Sequence, residues 1–148
     1  EHQPEFMPDK FESGTQNAVG IAGLGAGVRF IFKTGIDAIR KKEEHLTGLF
    51  INGAASLPGI TVYGCKTPDE RMPIVSFNVD GVDPGMVALE LDERFGIMCR
   101  PGLHCAPAAH RTIHTFPTGA VRFSFGYFNS EDDVHIALNA IAEISAHR

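Results

Sequence analysis

A chain of 148 residues, 43% hydrophobic and 21% charged, is long enough for one core and too short for two independent domains. Its net charge of −5 gives no basis for binding nucleic acid or an anionic membrane, and no run approaches the roughly 20 apolar residues of a membrane helix. The amino terminus EHQPEFMPDK lacks an apolar signal core, and three cysteines, Cys65, Cys99 and Cys105, are an odd count that suits no disulfide framework, so a soluble cytoplasmic protein is expected.

Residues 1–16 carry Pro4, Pro8 and Gly14 without sustained periodicity and are expected to form an extended arm, with residues 17–148 as the domain proper. From Asn17, Gly20, Gly23, Leu24 and Gly27 recur at helical spacing, and Val28, Phe30 and Ile31 carry the pattern toward Gly35. GLGAG, Gly23 to Gly27, is not preceded by the apolar strand that a dinucleotide loop requires. Its glycines are therefore expected inside the helix, where missing side chains let another element approach closely.

A second helix is read from Ile36, Ile39, Leu46, Leu49 and Phe50, which fall on one face before Leu57-Pro58-Gly59 ends it. Its cluster Arg40-Lys41-Lys42 is followed at once by Glu43-Glu44, the pattern of a solvated helix face. Strands follow at ITVYG and PIVSFNV, then a helix around Pro84 to Phe95, strands near Ile97 to Arg100 and at AVRFSFG, and a last helix from Ser130. Ser130 with Asp132 and Asp133 suits a helix N-terminus. Two short strands in succession favour an antiparallel or mixed sheet, so the expected fold class is α+β: a two-layer small domain with helices packed on a short sheet.

The chemistry concentrates in RPGLHCAPAAHRTIHTFPTGAVRFSFGYFN, Arg100 to Asn129. Cys105 admits three readings there. As a metal ligand it would act with His110 and His114, with His104 and Cys99 nearby, but no second ligand pair accompanies them and Pro107 and Pro117 interrupt the run. As an inert buried residue it fits poorly beside Arg100, His104 and a loop rich in proline and glycine. As a nucleophile it gains from the cations around it, since the thiolate is the reactive form. Arg122, on a strand, offers a planar fork for a carboxylate; a structural salt bridge is its ordinary alternative.

FESGTQN near the start, RPGLHCAP and AVRFSFGYFN resemble, in that order, the C-terminal portion of cysteine desulfurases, within the class V aminotransferase family of pyridoxal-phosphate enzymes. The resemblance covers nearly the whole chain and is nearest to the branch with a short RxGxHC loop, which includes selenocysteine lyases. It implies that Cys105 accepts sulfur from a cofactor-bound cysteine, leaving alanine. It further implies that Arg122 holds the substrate carboxylate, that Arg100 and His104 line the same pocket, and that Gly14 and Thr15 reach the cofactor phosphate of the partner subunit in a homodimer. A small amino-acid substrate and a sulfur-acceptor protein are the implied partners; a related lyase activity, or a stand-alone zinc module, is the alternative.

Two departures qualify the likeness. The family's large domain with its Schiff-base lysine is absent, and Lys10, Lys33, Lys41, Lys42 and Lys66 stand in no comparable context, so the isolated chain is expected to be inactive. His114 stands where a TIGTFP-like run has glycine.

Overall fold

The computed structural model describes residues 4–12 and 14–147. Contacts divide the chain into two units, residues 1–39 and 40–148. In the first, a single 3-10 turn at Asp9–Phe11 precedes helix α1 (Ala18–Thr34). Asn17 caps α1 by accepting from the Gly20 N–H at 2.9 Å, and Gly35, at φ 86°, ends it. Gly23 and Gly27 lie inside α1 as the sequence suggests. The close approach expected there is not made by the described residues: a Cβ at either position would meet nothing within 4 Å.

The second unit is built on three antiparallel strands in the order β1 (Ile60–Tyr63), β2 (Ile74–Val79), β3 (Val121–Ser124). Along β2 the side chains alternate. Val75, Phe77 and Val79 are buried, while Ser76 and Asn78 point to the other face. The buried face is covered by α2 (Ile36–Ala55), α3 (Pro84–Phe95) and α5 (Glu131–Ala146), which supply Leu46, Phe50, Val87, Leu91, Val134 and Ile141 to one core. Phe50 is fully buried, with its ring centroid 5.3 Å from those of Phe123 and Phe125 and 5.7 Å from that of Phe77. This is the α+β two-layer arrangement the sequence implies.

Local chemistry sets the helix limits. Asp83 caps α3 with Pro84 at its first position, and Gly96, left-handed at φ 65°, closes it. Ser130 and Asp133 form a reciprocal capping box on α5. Arg40 pairs with Glu44 at 2.5 Å along α2, as a solvated basic–acidic helix face should. Two expectations are corrected. Residues 97–100 form no strand; only Arg100 pairs, as an isolated bridge to Arg122. Pro107, expected to interrupt the histidine run, instead opens a short helix, α4 (Pro107–Thr112), for which proline at the first turn is no obstacle. Among the described residues no single helix is long and apolar enough to cross a membrane.

Candidate functional site

The registers of the three strands bring one row of polar side chains into line. Tyr63 pairs with Ser76, Ser76 with Arg122 and Arg122 with Arg100. Directly opposed residues share a face in an antiparallel sheet, and this face is opposite the one that α2, α3 and α5 cover. Arg100 and Arg122 exchange both backbone hydrogen bonds, at 3.2 and 2.9 Å, so their side chains leave the sheet as neighbours.

The segment that carries Arg100 continues along the outer edge of β3. Gly102 and Ala120 also exchange backbone hydrogen bonds, at 3.0 and 3.1 Å. Gly119 has φ 86°, and a Cβ there would sit 2.2 Å from the carbonyl atoms of Gly102, so glycine is what lets the two loops meet. Asn78 pins the same turn: its Nδ2 donates to the Gly119 carbonyl at 3.1 Å and to the Tyr63 hydroxyl at 3.3 Å. Tyr63, Ser76 and Asn78 could not be assigned to this face from sequence, because only the register puts Ser76 opposite Arg122 and Tyr63 opposite Ser76.

Beyond Gly102 the chain turns sharply through His104 (φ 52°) and Cys105 (φ 60°). Cys105 is exposed, and a terminal nitrogen of Arg100, Nη2, donates toward its sulfur at 3.8 Å. His104 Nε2 lies 2.8 Å from the Arg100 carbonyl. A carbonyl only accepts, so Nε2 carries the proton and Nδ1 the lone pair. Burial, reinforced by the cations Arg122 and Arg100 and by His110, holds the His104 pKa below its usual value although the bond to the Arg100 carbonyl opposes this. The ring is therefore neutral at pH 7. An exposed thiol thus stands beside a guanidinium and a neutral imidazole.

Arg122 is half-buried, and among the described residues it makes no ion pair; its Nε is buried without a hydrogen-bond partner. The salt-bridge alternative finds no carboxylate here. The metal reading finds no support either: no three His, Cys, Asp or Glu side chains converge among the described residues. His110 is buried with its Nδ1 2.6 Å from the Thr115 hydroxyl, and His114 is exposed. Cys99 is half-buried, and burial, with Asp92 nearby, pushes its thiol pKa up.

Gly14 and Thr15 are exposed, and a Cβ at Gly14 would meet nothing within 4 Å. A hydroxyl and backbone amides there have the right chemistry for a phosphate, but the segment forms no cradle by itself. Lys42 lies over the Tyr127 ring at 5.0 Å, and Lys66 follows β1. The described residues do not by themselves fit a pyridoxal-phosphate pocket.

The sequence matches the aminotransferase class-V family over residues 2–136. It is 37% identical over 142 residues to a probable cysteine desulfurase of Methanothermobacter thermautotrophicus, covering 95% of this chain and 35% of that protein. It is 39% identical over 137 residues to a probable cysteine desulfurase of Pyrococcus abyssi, covering 93% and 33%. The fold superposes on the apo structure of a cysteine desulfurase from Thermococcus onnurineus NA1 with a TM-score of 0.87 at 35% identity, covering 95% of this chain and 34% of the other. The chain thus spans about a third of the length of these relatives. With its family matched across both units and its fold shared with a solved desulfurase, the chain belongs to the class V aminotransferase family.

Proposed function

We propose that this chain is the C-terminal, sulfur-accepting segment of a pyridoxal-phosphate-dependent cysteine desulfurase. In the net reaction the Cys105 thiol and L-cysteine give a Cys105 persulfide and L-alanine, with no external oxidant or reductant. The observation that carries this reading is the pair Arg100 and Arg122: two arginines directly opposed across the strands without a carboxylate partner among the described residues, one of them reaching the exposed Cys105 sulfur. Such a pair awaits an anion, and an amino-acid carboxylate matches the arginine fork.

Each residue then has a task. Arg122 fixes the substrate carboxylate, and Arg100 stands between that carboxylate and the thiol, stabilising negative charge on sulfur as it forms. His104, neutral and with its Nδ1 lone pair free of the Arg100 bond, can take the thiol proton. The cofactor and its lysine belong to the remainder of a full-length enzyme, and the exposed Gly14 and Thr15 would contribute to its phosphate site, across a dimer if one forms. The exposure of Cys105 supports delivery of its persulfide to an acceptor protein.

The test uses the full-length enzyme that carries this segment. Cys105→Ala should stop alanine and sulfide formation in the presence of a thiol reductant while the cofactor spectrum stays normal. Arg122→Lys should raise KM for cysteine and lower kcat/KM by about 1.5–3 kcal/mol, the scale of a lost charged hydrogen bond. Full efficiency in Arg122→Lys, with only a lower Tm, would make the arginine structural and sink the assignment.

A further inference from the structure

His104 and Cys105 are consecutive non-glycine residues in the left-handed region. That backbone is unfavourable for both, and it persists only where the surroundings over-determine it. Two of the restraints lie within the turn itself: the His104 bond to the Arg100 carbonyl, and the Ala106 N–H donating to the Leu103 carbonyl at 2.8 Å. The third comes from α4. The His110 ring lies 5.5 Å from the His104 ring, tilted by 54°.

His110 is itself fixed from the interior. It is 4% exposed, and its Nδ1 lies 2.6 Å from the hydroxyl of Thr115, which is 6% exposed. After α4 the backbone folds back so that the N–H groups of Thr115 and Phe116 both donate to the His110 carbonyl, at 2.9 and 3.2 Å. This return brings the threonine hydroxyl beside the imidazole. Without that hydroxyl a buried ring nitrogen would lose the one side-chain partner recorded for it.

We infer that His110 and Thr115 are positioning residues for the thiol: the buried imidazole, held by the Thr115 hydroxyl, braces the His104 ring and thereby keeps the Cys105 sulfur within reach of the Arg100 guanidinium. The inference rests on Cys105 as the reactive cysteine, but neither residue touches substrate and the test below needs neither cofactor nor substrate. Its failure therefore stands apart from any failure of the desulfurase reading.

Cys105 of this chain is alkylated with iodoacetamide at pH 7, and its rate is read by mass mapping against that of exposed Cys65, which serves as an internal clock. Thr115→Val keeps the shape and deletes the hydroxyl; Thr115→Ser keeps the hydroxyl. The Cys105-to-Cys65 rate ratio should fall about five-fold in Thr115→Val, the scale of one lost hydrogen bond, and stay within about two-fold of the parent in Thr115→Ser. An unchanged ratio in Thr115→Val, or an equal fall in both variants, overturns the inference. Should Thr115→Val not fold by circular dichroism, His110→Asn removes the ring while leaving an amide for Thr115, and the ratio should again fall; an unchanged ratio there overturns the inference equally.

Discussion

Arg100 and Arg122, paired through both of their backbone hydrogen bonds, place two positive charges side by side on the open face of the sheet. Like charges directly opposed across strands are destabilising, and here no carboxylate among the described residues offsets them. Replacing one of them should therefore stabilise the chain in the absence of any anion. Arg100→Gln should raise the unfolding free energy by about 0.5 kcal/mol in dilute buffer, and the gain should vanish in about 1 M salt, where such charges are screened. Urea midpoints at the two ionic strengths test this. A loss of stability at low salt would show that Arg100 has a structural partner after all.

The three cysteines should differ in reactivity. Cys105 is exposed with a guanidinium 3.8 Å from its sulfur, whereas exposed Cys65 donates to the Glu70 carboxylate at 3.3 Å and Cys99 is half-buried with its thiol pKa pushed up. Limited alkylation at pH 7 should label Cys105 first and Cys99 last, with about ten-fold or more between them. Labelling of Cys99 ahead of Cys105 would contradict the environments described.

Much of the scaffold was legible because its signals are local. The helix from Pro84 to Phe95 and the Ser130 opening of α5 are both read from signals within a few residues of sequence. α4 is not legible in the sequence because Pro107 reads as a breaker, whereas its position at the first turn makes it a starter. The segment 97–100 reads as a strand by composition, yet it has only an edge to pair with and makes one bridge. Cys105, Arg100 and Arg122 could be picked out as chemistry-bearing residues, but the row that joins Arg122 to Tyr63 and Ser76 depends on register between segments far apart in sequence. Thr115 gave no signal at all, since its importance comes from a backbone return that no periodicity announces.

His114, flagged by its sequence as standing in a glycine position, is in fact left-handed, with φ 59° just beyond the end of α4. Glycine carries no Cβ penalty there, though it loses more chain entropy on folding. His114→Gly should therefore stabilise the chain by about 0.5–1 kcal/mol, visible as a higher Tm. A lower Tm would mean that the imidazole makes a contact worth more than the strain.

Gly119 tolerates no side chain. An alanine would bring its Cβ to 2.2 Å from the Gly102 carbonyl and would occupy φ 86°. Gly119→Ala should cost about 2–4 kcal/mol in denaturant unfolding, because it combines backbone strain with loss of the paired hydrogen bonds between Gly102 and Ala120. A change below about 0.5 kcal/mol would show that the two loops can separate without consequence.

The depressed pKa of His104 makes a pH signature. The unfolded chain takes up a proton near the usual value of 6.5, while the folded chain resists until lower pH, so folding stability is full above that value and falls as the solution is acidified through the window beneath it. His104→Gln, which keeps a donor for the Arg100 carbonyl but does not titrate, should flatten the slope of stability against pH below the usual histidine value of about 6.5. Parallel slopes for parent and variant would place the acid sensitivity elsewhere.

The bridges from Arg100 and Gly102 to β3 bear on solubility as well as on chemistry. They occupy backbone groups along an edge that would otherwise be open to a strand from another molecule. The thiol-bearing loop is thus also a guard on the sheet. Substitutions that peel it away should do more than misplace a cysteine: they should uncover a hydrogen-bonding template flanked by buried Val121 and Phe123 and raise the protein's tendency to aggregate.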